Sequence, residues 1–157
     1  MNIICIDIDK SLLSRSDKLN NEIGVELFMN NLMKIQDVMR EVDGEVFLIS
    51  DWSRLFTYVG GDINIKMGMI EIINEVGDGE LIIFILSALK TYFDGRWYGM
   101  GNGDKVREVE KLLEGGNRVV LIDGYDMGEI KHENYKHIKT VDIITRWMVT
   151  DMVRFFK

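Results

Sequence analysis

The chain has 157 residues, of which 46% are hydrophobic, enough for one domain with a substantial buried core. Its longest apolar stretch, residues 81–86, is too short to span a bilayer, so we expect no membrane partner. The formal net charge of −7 argues against stable nonspecific binding to nucleic acid, although a locally basic site for an anionic substrate is compatible with it.

The cysteine content bears on the compartment. Cys5 is the single cysteine, so no intrachain disulfide can form, which suits a reducing environment. No positively charged leader with an apolar stretch opens the chain. We therefore expect a cytoplasmic protein, and the sequence leaves its oligomeric state open.

Apolar runs and helical periodicities alternate along the chain. In chain order they predict a strand over residues 2–7, helices over 25–42 and 67–76, with a strand over 45–50 between them, a helix over 104–114, strands over 118–123 and 137–141, and a closing helix over 142–156. Residues 81–93 fit either a helix or a buried strand followed by a helix. The closing helix is predicted to bury Trp147 on its apolar face.

This alternation predicts an α/β fold in which a parallel sheet is wrapped by helices on both faces. The apolar runs are continuous, as in strands that are buried on both sides. We expect one domain over residues 1–157, with residues 52–103 forming a variable insert or a cap-like region.

Polar side chains stand where three of the predicted strands end. Asp7, Ser50 and Asp123 finish these strands, Asp9 follows the first strand, and Lys105 opens the helix before the third. Because ligands of open parallel sheets bind at the carboxyl ends of the strands, we expect these side chains to converge on one crevice.

Such a set of side chains suits phosphoryl transfer with Mg²⁺. Crowded carboxylates favour an oxygen-binding cation, while a lysine and a hydroxyl can hold phosphoryl oxygens. Asp7 can act as a nucleophile that forms an aspartyl-phosphate, and Asp9 can move the proton. Ordinary structural roles are also open: a turn after the strand for the aspartates, a helix cap for Ser50, and a solvated surface position for Lys105.

At these residues the chain resembles the haloacid dehalogenase-like (HAD) superfamily. Residues 7–12, DIDKSL, are similar to the first motif of that family, in which an apolar strand precedes DxDx[T/V]. The other motifs are matched in order by the strand ending at Ser50, by Lys105 opening a helix, and by the acidic strand end at Asp123 with Asp126 three residues on. The resemblance implies a Rossmann-like, HAD-like three-layer sandwich with a central parallel sheet. It also implies a minimal cap, because no large insertion separates Ser11 from residue 45.

The same resemblance implies a role for each matched residue. Asp7 would be the nucleophile and Asp9 the acid/base of a phosphatase. Mg²⁺ would be held by Asp7, by the backbone carbonyl of Asp9, and by the acidic motif. The resemblance implies that phosphate is bound by Ser11, Ser50 and Lys105. The ligands that the acidic motif supplies to the metal would be Asp123 and Asp126.

The expected substrate is a phosphorylated small molecule or a nucleic-acid end. Residues 48–52, LISDW, resemble a HAD branch of which some members are associated with RNA repair proteins. In addition, Arg96, Trp97 and Tyr98 precede a glycine-rich stretch, and a loop there could stack a base and grip a phosphate. The alternative for this segment is a loop pinned by one buried aromatic ring.

Two rival functions remain open from the sequence. The first is a HAD-like binding or regulatory module with little turnover. The second is a receiver-like phosphoacceptor domain, which ranks last because Lys105 opens a helix before the last acidic strand instead of ending a strand.

Overall fold

The computed structural model of the chain describes residues 1–7, 22–49, 56–59, 62–65, 79–93, 97–99, 105–124, 130–140 and 143–157. Within these ranges the strands are β1 (Asn2–Ile6), β2 (Glu45–Leu48), β3 (Phe56–Val59), β4 (Asp62–Ile65), β5 (Trp97–Gly99), β6 (Arg118–Asp123) and β7 (Tyr135–Lys139). The helices are α1 (Glu22–Val42), α2 (Gly79–Phe93), α3 (Lys105–Glu114) and α4 (Arg146–Phe156).

Five strands form one parallel sheet in the order β5-β2-β1-β6-β7. The chain builds outward from β1 through β2 to β5, and then returns to the other side of β1 to add β6 and β7. The order of the strands therefore reverses at the β1–β6 boundary. A separate antiparallel pair is formed by β3 and β4.

Both faces of the sheet are covered, as the continuous apolar runs predict. In β1, Ile4 and Ile6 pack into a core with α1, α2 and α4, whereas Ile3 and Cys5 face α3 and pack with Val109. These residues are fully buried. The prediction of an α/β fold with a parallel sheet between helices is thus confirmed.

Helix α3 carries the lysine that the sequence singles out, and both its face and its end are well defined. Val109 and Leu113, four residues apart on one face, are buried against the sheet. The helix ends in a Schellman motif: Gly116 has φ +80° and donates its N–H to the carbonyl of Leu113 at 2.9 Å. Asn117 closes the same motif through a bond to the carbonyl of Leu112.

The prediction that Trp147 is buried is wrong, since its side chain is 69% exposed. Helix α4 begins at Arg146, where Thr145 caps it by accepting a hydrogen bond from the N–H of Met148. Met152 lies on the buried face, and at 3.6 residues per turn Trp147 stands about 140° around the helix from it.

In the described parts of residues 52–103, one open alternative is decided and one prediction is wrong. Residues 81–93 are resolved as part of one helix, α2. The loop predicted at Trp97 and Tyr98 is wrong, because both belong to β5, an edge strand parallel to β2. Aromatic residues suit strands, and the neighbouring glycines misleadingly indicated a loop. Residues 67–76, predicted to be helical, lie outside the described residues.

Smaller differences occur at the ends of elements. Strand β7 begins at Tyr135, two residues before the predicted start, and ends at Lys139. Strand β2 ends at Leu48, and Ile49 follows it with its N–H bonded to the carbonyl of Ile6. Among the helices in the described ranges, none has the length and apolarity needed to cross a membrane.

Candidate functional site

The candidate site lies where β1 and β6 end side by side. Asp7 directly follows β1, and its backbone N–H donates to the carbonyl of Ile122 at 3.1 Å. Asp123 is the last residue of β6. Because side chains alternate along a strand, Asp7 and Asp123 leave the sheet on the α3 face, as Cys5 and Leu121 do two residues earlier.

Lys105, the first residue of α3, joins the two aspartates. Its Nζ forms an ion pair with Oδ2 of Asp7 and lies 3.5 Å from Oδ2 of Asp123. We call these three residues the Asp–Lys–Asp cluster. Helix α3 is fixed on the sheet by its buried residues Val109 and Leu113, so the lysine at its first position is held over the strand ends.

The two carboxylates of the cluster are buried, so their pairing matters for the stability of the fold. The side chains of Asp7 and Asp123 are 1% and 0% exposed, while that of Lys105 is 25% exposed. Carboxylates at such depth must be paired, because an isolated buried charge is strongly disfavoured. Within the cluster the two carboxylates share the ammonium of Lys105.

The surroundings of the cluster are apolar toward the sheet interior. Cys5 lies two residues before Asp7, and its complete burial raises the pKa of its thiol, which keeps the thiol protonated. On β7, burial raises the pKa of Tyr135 to about 12, and the nearby carboxylate of Asp123 acts in the same direction. The Tyr135 hydroxyl is buried and has no hydrogen-bond partner among the described residues.

The structure therefore brings together three residues that the sequence predicts as a site: Asp7, Lys105 and Asp123. Other predicted site residues lie outside the described ranges, namely Asp9, Ser11, Ser50, Arg96 and Asp126. The bond from Ile49 to Ile6 does bring the chain beside β1 immediately before Ser50. Trp97 and Tyr98 belong to β5, which β2 separates from β1, so their backbone does not form a loop at the cluster.

The predicted metal site is only half covered by the described residues. Of its four aspartates, Asp7 and Asp123 are described, whereas Asp9 and Asp126 are not. No group of three or more His, Cys, Asp or Glu residues that could hold a metal occurs in the described part of the chain. The two carboxylates supply oxygen atoms, which are the ligand atoms that Mg²⁺ prefers.

Sequence reasoning missed one charged residue at this edge of the sheet. Lys139 ends β7 and is paired in register with Asp123. The signal that could have found it is its position as the last residue of a strand next to an acidic strand end. The predicted strand boundaries, residues 137–141, placed Lys139 in the middle of the strand and hid that signal.

Comparisons of the chain with protein-family models, with curated proteins and with solved structures found no match. The structure defines the class of the protein as α/β, with a parallel sheet covered by helices on both faces. Beyond that class, any function has to be inferred from the Asp–Lys–Asp cluster and its place in the sheet.

Proposed function

We propose that the protein is a Mg²⁺-dependent phosphomonoester hydrolase of the HAD-like type, with a Rossmann-like three-layer fold and a minimal cap. The observation that carries the proposal is the pairing of Lys105 with both Asp7 and Asp123. This cluster stands at the carboxyl ends of β1 and β6, where the strand order reverses. In open α/β sheets that reversal is where ligands bind.

In this proposal Asp7 is the nucleophile. One of its carboxylate oxygens forms a bond to phosphorus while the ester P–O bond breaks, giving an aspartyl-phosphate and an alcohol. The ion pair with Lys105 favours the ionised, nucleophilic form of Asp7 and orients it. Because Asp7 is deeply buried, bulk water does not solvate its ionised form, and the pairing with Lys105 contributes to stabilising that form.

The proton transfers are assigned to Asp9. As a carboxylic acid it gives its proton to the departing alkoxide, and as a carboxylate it takes one from the water that attacks the aspartyl-phosphate. Inorganic phosphate leaves and Asp7 is regenerated. Mg²⁺, when bound, would be held by Asp7, Asp9 and Asp123, with Asp126 as a further candidate, and would neutralise phosphoryl oxygens. Lys105, Ser50 and Ser11 would bind the remaining oxygens.

The proposed substrate is a nucleotide or a nucleic-acid end. This preference depends on the similarity of residues 48–52 to the branch associated with RNA repair, which is a sequence argument. The net charge of −7 fits a protein that takes one phosphorylated end into a local site and does not hold a long stretch of nucleic acid.

One observation favours a second candidate, a HAD-like binding or regulatory module. Lys105 is in direct contact with the proposed nucleophile, Asp7. A module of this kind would bind a phosphorylated ligand through Lys105 without turning it over.

The experiment that separates these functions is phosphate release from nucleotides, phosphorylated oligonucleotide ends and sugar phosphates, with and without Mg²⁺. Release should depend on Mg²⁺ and should fall by at least about a thousandfold in Asp7→Asn, because the nucleophile is lost. The matched control is Asp37→Asn, the same change at an exposed position of α1. Undiminished release from Asp7→Asn would refute the assigned nucleophile. No release from any substrate by a chain that binds Mg²⁺ would favour the binding module.

A further inference from the structure

Lys139 is a second lysine at the carboxyl edge of the sheet. Its Cα is paired in register with that of Asp123, and paired residues of neighbouring parallel strands share a face. Lys139 therefore leaves the sheet on the α3 face, where the Asp–Lys–Asp cluster lies. The N–H of Thr140 donates to the carbonyl of Asp123 at 3.2 Å, which fixes the backbone of β7 at the level of the cluster.

The two lysines stand on different sides of the cluster. Lys105 approaches from α3 and contacts Asp7 directly. Lys139 lies on β7, two strands from β1, so its backbone is about 10 Å from that of Asp7, at about 4.8 Å per strand. Its side chain is exposed, whereas both aspartates are buried, so its ammonium belongs to the solvent-facing rim of the site.

We propose that Lys139 binds a second anionic group of the substrate, a phosphate or phosphodiester that is not transferred. This inference rests on the proposed function and specifies its substrate class. Lys105 contacts Asp7 and Asp123 and, in the proposed function, binds the phosphoryl group that is transferred, so a second anionic group of the substrate needs a different cation. Lys139 supplies a positive charge at some distance from the reacting phosphorus, where a neighbouring substituent of the substrate would lie.

Two kinds of substrate carry a second anionic group next to the transferred phosphoryl group. A nucleoside bisphosphate carries a second phosphate on the same sugar, and an oligonucleotide carries a phosphodiester next to its phosphorylated end. Both place an anion near the transferred phosphoryl group. A nucleoside monophosphate lacks the second anion and serves as the reference substrate.

The test compares Lys139→Met and Lys139→Arg with the unchanged chain on these three substrates. In Lys139→Met, KM for the bisphosphate and for a dinucleotide with a terminal phosphate should rise about tenfold. This is the loss of affinity expected when one charged hydrogen bond is removed. We expect kcat to stay unchanged, KM for the monophosphate to stay unchanged, and Lys139→Arg to restore KM. Comparison of the bisphosphate with the dinucleotide then identifies the preferred source.

The matched control is Lys136→Met, which removes the same charge from the same strand. Lys136 is paired in register with Val120 and forms an ion pair with Asp151 of α4 at 2.9 Å, so it lies on the opposite face of the sheet. Lys136→Met should leave KM for all three substrates unchanged. Equal effects of the two variants would refute a specific role for Lys139.

The inference and the proposed function fail in distinguishable ways. Suppose that Asp7→Asn abolishes phosphate release, so that the proposed function stands. The inference is then wrong if Lys139→Met leaves KM for the two doubly anionic substrates unchanged. It is also wrong if Lys139→Met raises KM for the monophosphate as much as for those substrates. If nothing is hydrolysed, the bisphosphate is titrated calorimetrically against the unchanged chain and Lys139→Met. A tenfold weaker Kd in the variant supports the second anion site, and equal or undetectable binding refutes it.

Discussion

Replacing Lys105 with methionine tests whether the ammonium holds the two buried carboxylates in place. Methionine keeps most of the length and apolar stem of lysine, so the change removes chiefly the charge. Asp7 and Asp123, which are 1% and 0% exposed, would then face each other without it. Removing one partner of a buried ion pair costs about 3–5 kcal/mol. Because Lys105 is itself 25% exposed, we expect the lower end, about 3 kcal/mol.

The measurement is urea unfolding followed by far-UV circular dichroism, without Mg²⁺, since a bound cation would compensate for the lost charge. The control is Lys111→Met, on the same helix, whose ion pair with Glu108 is exposed at the lysine and should cost less than about 1 kcal/mol.

A double variant separates charge repulsion from lost packing. In Lys105→Met combined with Asp7→Asn, one of the two buried charges is gone, so at least about 1 kcal/mol of the loss should be recovered. A loss for Lys105→Met no larger than for Lys111→Met, or no recovery in the double variant, would refute the reasoning.

Two further predictions concern the ends of elements and the pH dependence of stability. Gly116→Ala should lower the free energy of unfolding by about 1 kcal/mol; because Gly116 has φ +80° and an added Cβ would meet no neighbour, this cost is conformational. Denaturant unfolding should show a smaller loss for Gly116→Asn, since asparagine tolerates a positive φ better than alanine does. Equal losses for the two variants would contradict this cause. Burial raises the pKa of Tyr135 from 10.0 to about 12, so the folded state holds this proton more tightly than the unfolded state. Stability should therefore fall as the pH rises from 10 to 12. Across that range the urea midpoint of Tyr135→Phe should fall less than that of the unchanged chain. An equal fall in both would show that groups other than Tyr135 cause the loss.

The central strands and the convergence of Asp7, Lys105 and Asp123 could be predicted because their signals are local. A continuous apolar run favours a strand buried on both faces, although the run at residues 81–86 lies in helix α2. A polar residue at the end of such a strand indicates where a ligand can bind. Asp7 and Asp123 satisfy both conditions, and Lys105 follows from its place at the start of an amphipathic helix. Parallel order then requires these ends to meet at one edge, as they do.

The failures came from features that depend on neighbours. Trp97 and Tyr98 form a strand because β2 offers them an edge to pair with, and nothing in their own sequence states that. The exposure of Trp147 depends on which side of α4 packs on the core, and Met152 and Phe156 define that side. Lys139 is identified only by the register of β7 on β6, because a shift of one residue would move it to the other face.

The central position of β1 in the sheet has a consequence for synthesis. Lys105 and Asp7 are 98 residues apart in sequence, and β6, which completes the other side of β1, comes later still. On the ribosome, where translation adds about 5–20 residues per second, β1 must wait for several seconds at least before both of its neighbours exist. Until then its apolar edge is open to other chains, and the two carboxylates have not met. The Asp–Lys–Asp cluster can therefore form only after β6 has been synthesised and has paired with β1.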